Sequence, residues 1–100
     1  MDIRELTNAM HDFVRAKGWY EPDSPRPQTS RNLAISLNLE AAEVLEHFQW
    51  NQEQVSSSQL AGELADVALY LLQLASVQKI DLEKAILDKL DHNYGRTWGG

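Results

Sequence analysis

The chain contains no cysteine, which excludes a disulfide framework and a thiolate zinc site. Cations are scarce as well: 9 Lys and Arg stand against 15 Asp and Glu, a formal charge of −6. That balance argues against gripping a nucleic-acid backbone, where Lys and Arg must replace condensed counterions. A polyanionic substrate fits only if metal ions mediate. No run approaches the ~20 apolar residues of a membrane span. The segment from Met1 to Phe13 is charged from its second residue and has no apolar h-region. The expectation is a cytoplasmic protein with no membrane and no nucleic-acid partner. Prolines number 3 and all fall between residues 18 and 30, so nothing breaks helix elsewhere. One hundred residues make a single domain over 1–100. A domain of that size buries only somewhat more than ~60% of the surface of its unfolded chain. Without covalent staples, the missing burial is expected from further copies of the chain, as a homodimer or homotetramer.

What is present is helical periodicity. Ile3, Leu6, Met10, Phe13 and Val14 share one face of a first helix between Asp2 and Lys17, with Gly18 placed to cap it. The proline-bearing stretch 18–30 has no period and reads as a loop long enough to carry function. A second helix is expected from near Ser30 to about Trp50, striped by Leu33, Leu37, Ala41, Val44, Leu45 and Phe48. Asn51 to Ser58 reads as a polar connection whose serines supply an N-cap for a third helix reaching about Gln78. Asp81 caps a fourth, with Ile80 before it and Gly95 and the closing Gly99 and Gly100 after it. There is no repeat and no convincing strand. The fold class is all-α, a compact bundle of about four helices.

The residues that carry chemistry are acids. Glu40 and Glu43 lie on helix two, Glu63 and Asp66 on helix three, and each pair is separated by three residues, about 60° around its helix. Each pair borders its leucine stripe, so antiparallel packing of the two helices brings four carboxylates together at the edge of the core. Such a cluster raises some of its pKa values or binds cations, and an all-oxygen set selects Mg²⁺, with Mn²⁺ as the alternative. The residues alone leave open whether these are metal ligands or two solvated acidic faces. A di-iron carboxylate bundle requires Glu-x-x-His, and no histidine here follows a glutamate at that spacing. His47, four residues after Glu43, reads as an exposed helix histidine, the alternative being a residue that supports the acids from behind.

The segments NLEAAEVLEHFQW (Asn38 to Trp50) and ELADVALYLLQLA (Glu63 to Ala75) resemble the MazG-like all-alpha NTP pyrophosphatases, and the Glu-His-Phe-Gln-Trp ending is similar to the dCTP pyrophosphatase branch. The resemblance implies an Mg²⁺-dependent nucleoside triphosphate pyrophosphohydrolase that converts a (d)NTP, dCTP or a non-standard deoxynucleotide, to monophosphate and pyrophosphate. It implies Glu40, Glu43, Glu63 and Asp66 as metal ligands. Glu43 is our choice for the group that takes the proton of the attacking water. Aromatic positions that match nucleotide-holding residues are Trp19, Trp50 and Tyr70. Arg31 and Asn32 at the start of helix two and Arg96 near the C-terminus are candidates for phosphate. Relatives in this branch carry a substrate-contacting histidine in helix one; the matching position is Met10, with His11 next to it. The competing reading is a catalytically silent helical module that binds a nucleotide or a protein.

Overall fold

The computed structural model describes residues 1–50 and 56–96. Its element order is α1 (Ile3–Ala16), α2 (Ser30–Glu46), α3 (Ser57–Val77) and α4 (Leu82–Tyr94), with no strand among the described residues. The strand-free architecture of four helices is the one the periodicity calls for. Each helix begins on a side chain that accepts a first-turn amide: Asp2 from Glu5, Thr29 from Asn32, Ser56 from Gln59 and Asp81 from Lys84. Gly18 follows α1 with φ of 74°, the left-handed conformation that halts a helix, as its position in the sequence predicts. Lys79 takes the same conformation after α3, with φ of 59° and at a cost glycine would not incur.

The second helix is shorter than expected. It ends at Glu46, His47 is its C-cap, and Phe48 and Gln49 continue only as turns. Of the connection expected over 51–58, residues 51–55 lie outside the described residues, as does the closing glycine pair.

Helix α3 is central. It packs against α2 along most of its length and against α1 more briefly, while α4 touches it only near their junction. Two side-chain pairs fix the sense of the α2 and α3 packing. His47 at the end of α2 meets Glu63 early in α3, and Gln78 after α3 donates to Ser30 at the start of α2, so the helices run antiparallel. By length and composition α3 is apolar enough to cross a bilayer, which departs from the expectation that no stretch reaches that length. It carries two acids and is packed by two helices, as the central helix of a helical bundle is.

The core is small. Met10, Val14, Leu33 and Ala75 are buried, joined by one polar side chain, Gln73. Helix α4 buries nothing fully, and Leu87 and Leu90 on it are 60% and 49% exposed. The radius of gyration is 16.2 Å, against about 13 Å for a close-packed chain of this length, so the single chain is more open than the compact bundle its sequence suggested.

Candidate active site

Antiparallel packing of α2 and α3 brings carboxylates face to face. Oxygens of Glu40, Glu43 and Glu63 all lie within 4.8 Å of one another. Asp66 is outside that tight trio but close enough for its charge to act on Glu40. Glu43 and Glu63 line an acidic cleft with His47 and Asp66, and Glu43 is the more exposed of the two.

The cluster's electrostatics follow from crowding. Glu40 is held above the ordinary carboxylate range by burial first, then by hydrogen bonding and charge from Glu43, then by Asp66 and Glu63. Glu63 is raised by the Glu43 carboxyl and by desolvation, against the opposing pull of His47, whose Nε2 lies 3.7 Å from Glu63 Oε1. Both Glu40 Oε2 and Glu63 Oε2 are buried with no hydrogen-bond partner. Buried carboxylate oxygens without donors are costly unless a cation supplies the missing charge. Orphaned oxygens on an all-carboxylate set therefore fit a hard divalent ion, and the fit rests on this geometry alone.

Beside the cleft is a cavity of about 400 Å³ of a different character. Its walls are apolar and aromatic, with Met10 and Phe13 from α1, Trp19 from the loop and Leu69 and Tyr70 from α3. Glu40 and Asp66 stand at its edge. Asp66 thus borders both the cavity and the acidic cleft. Trp19 packs edge-on against Phe13 at 5.7 Å between centroids, and Arg26 lies 5.4 Å over the indole. Trp19 and Tyr70 also face a second hollow lined by Pro25, Pro27, Asn32 and Ser36.

Several expected substrate residues stand elsewhere. Trp50, beyond the end of α2, is 88% exposed and lines none of these cavities. Arg31 is exposed on α2, and Arg96 follows the end of α4; neither lines them. Asn32 does line the second hollow, but its backbone amide is taken by Thr29 and its side-chain amide donates to the Pro27 carbonyl, so it holds the loop. Trp19 and Tyr70 both line the aromatic cavity.

Other residues went unrecognised. His47 is not an exposed helix histidine: it is half-buried against Glu63, and its place one turn after Glu43 was the available signal. Gln73 is buried on the cavity wall, the one polar residue in the run Leu69 to Ala75 apart from the Tyr70 hydroxyl. It joins Tyr20, Gln28 and His11 in a hydrogen-bonded chain that ends on Ser76. Burial lowers the pKa of His11, aided by Arg15 and opposed by Asp12, and burial raises that of Tyr20, so both are neutral near pH 7.

A helical bundle with clustered acids on two antiparallel helices beside an aromatic cavity is the setting in which the comparisons fall. The MazG-like family model matches residues 35–97, and the chain belongs to that family. Among individual relatives, dCTP pyrophosphatase 1 of Bos taurus is 33% identical over 95% of this chain and that of Homo sapiens 34%. The chain spans 57% and 56% of the length of these relatives. A pyrophosphatase from Archaeoglobus fulgidus has the same fold, with a TM-score of 0.71 at 33% identity, covering 90% of this chain and 86% of that one.

Proposed function

We propose that the chain is an Mg²⁺-dependent nucleoside triphosphate pyrophosphohydrolase that splits the α–β phosphoanhydride of a (d)NTP, with dCTP or a modified deoxynucleotide as substrate. The observation that carries this reading is Asp66 bordering both hollows: an aromatic cavity suited to a base adjoins an all-carboxylate cleft suited to cation-bound phosphates. Relatives described as dCTP pyrophosphatase 1 support the same reaction class.

Glu40, Glu43, Glu63 and Asp66 would hold Mg²⁺, or Mn²⁺ in its place. The bound ion supplies charge neutralisation of the triphosphate, polarisation of the attacked phosphoryl group and acidification of water. The remaining work falls to this chain's own groups. Trp19 and Tyr70 hold the base, by stacking worth about 1–3 kcal/mol per base. Glu43, the most exposed member of the trio, accepts the proton of the attacking water. As the new phosphorus–oxygen bond forms, the bridging one breaks, pyrophosphate leaves, and no covalent enzyme intermediate is required. His47, beside Glu63, keeps that carboxyl oriented.

The exposed apolar faces of α2, α3 and α4 support a homodimer or homotetramer, and the packing of α3 against its neighbours supports a soluble, cytoplasmic protein. The test is incubation of purified protein with Mg²⁺ and each common dNTP and NTP, followed by anion-exchange chromatography, beside a Glu63→Gln variant. Monophosphate plus pyrophosphate is expected from the native chain. In the variant, turnover should fall at least ~100-fold with helical content unchanged, the scale on which removal of a charge-stabilising group acts. Diphosphate plus phosphate, or full activity in the variant, rejects the mechanism. No turnover of any nucleotide favours the silent binding module.

A further inference from the structure

Gln73 is 3% exposed, stands on the cavity wall with Trp19 and Tyr70, and interrupts an apolar run, so its carboxamide must find partners inside the protein. Its orientation can be worked out from a backbone group. Gln28 Nε2 donates to the Arg26 carbonyl at 2.6 Å, and a carbonyl can only accept, so Gln28 Oε1 is the end turned toward Gln73. Gln73 Nε2 therefore donates to Gln28 Oε1 at 2.7 Å, and its other hydrogen goes to the Tyr20 hydroxyl oxygen at 3.2 Å. The Tyr20 hydroxyl is in turn hydrogen-bonded to His11 Nδ1 at 2.6 Å, and His11 Nε2 to Ser76 Oγ at 2.7 Å. Both links from Gln73 run one way. A free glutamine presents either end to a ligand, whereas this one has both N–H groups committed, and its carbonyl oxygen is the atom left to meet one.

We propose that the Gln73 carbonyl oxygen is the specificity-determining group of the cavity. It selects a base that carries an exocyclic amino group, cytosine or adenine, over the corresponding base with an oxo group there. Tyr20, Gln28 and His11 act as positioning residues that stop the carboxamide from turning over. An amino group donates to the fixed acceptor, whereas an oxo group sets two lone-pair-bearing oxygens against each other in a largely apolar cavity. The inference rests on the nucleotide reading of the site but not on turnover.

Two pairs of monophosphates that differ in amino against oxo, dCMP with dUMP and dAMP with dIMP, are titrated calorimetrically into the native protein and into Gln73→Met, Tyr20→Phe and Gln28→Leu, with Mg²⁺ present. The ratio of kcat/KM for dCTP over dUTP is measured alongside. The native protein should prefer the amino member of at least one pair by about tenfold or more, the scale of one well-placed hydrogen bond to a buried group. Gln73→Met should bring that preference to within about threefold of unity, and Tyr20→Phe and Gln28→Leu should lower it partway, mainly through KM. A merely structural role would weaken both members of a pair equally. Should Gln73→Met fail to fold, Gln28→Leu on the loop carries the test. Equal binding within both pairs by the native protein, binding of neither, or an undiminished preference in the folded variants overturns the proposal. Turnover without any amino preference sinks this inference alone. An amino preference that depends on Gln73, without turnover, leaves it standing and sinks the hydrolase.

Discussion

Glu40 Oε2 and Glu63 Oε2 are buried and unpartnered, and this has a consequence for pH. Both carboxyls have pKa values raised above the unfolded value, so between the unfolded and folded pKa values the native state binds more protons than the unfolded chain. Their contribution to stability is present below the unfolded pKa, about 4.3 for glutamate, and is lost as pH rises through the raised folded value. At neutral pH the cation-free protein therefore carries the full repulsion. Mg²⁺ should raise the melting temperature more at pH 7.5 than at pH 5, and Glu40→Gln should shrink that difference. An Mg²⁺ effect independent of pH in scanning calorimetry would contradict the cluster's role as a cation site. Taking the difference at each pH cancels the opposite influence of His11, whose depressed pKa erodes stability as pH falls.

At the scale of elements, the two left-handed positions form a matched pair. A Cβ at Gly18 would meet nothing within 4 Å, so Gly18→Ala tests backbone conformation alone. It should cost about 1 kcal/mol, lowering the melting temperature by roughly 4–8 °C in a domain of this size. Lys79→Gly should move stability the other way by a smaller amount, since glycine's greater freedom in the unfolded chain offsets part of the relief. Thermal melts of both variants decide it. These caps were legible to different degrees. Gly18, Asp81 and the serine run announce helix ends through residue type, whereas nothing about Lys79 does so, because the αL turn there follows from how α4 leaves α3. The end of α2 lies four residues before the position the sequence suggests because Phe48 continues the apolar stripe of Val44 and Leu45 after the helix stops at Glu46. The acids were readable because spacing of three on a helix fixes a face regardless of tertiary detail. The Gln73 network was not, since it joins residues up to 65 positions apart through a loop without periodicity.

At the scale of the whole molecule, many large apolar side chains lie on the surface of the single chain. Leu39, Leu45, Leu64 and Leu87 are 59%, 70%, 51% and 60% exposed. Separated apolar residues are ordinary on a surface, but so many large ones beside so small a core support the proposed association with further copies of the chain. Light scattering coupled to size exclusion should give a mass of two or four times 11.4 kDa, and a monomer at micromolar concentration would rule that out. Length and the lack of cysteine point to the same association. The sequence could not give the openness of the single chain, which depends on how little α4 packs against the rest.

The division of labour between elements has an evolutionary corollary. The carboxylates sit on α2 and α3, the most extensively packed pair, whereas the hydrogen bonds that orient Gln73 begin in the loop between α1 and α2. If the cavity takes a nucleotide as proposed, replacements at Tyr20 or Gln28 would retune which one is accepted while the carboxylate cluster stays intact. Selection for a new ligand would have a short stretch of loop to work on, insulated from the helix pair that carries the acids.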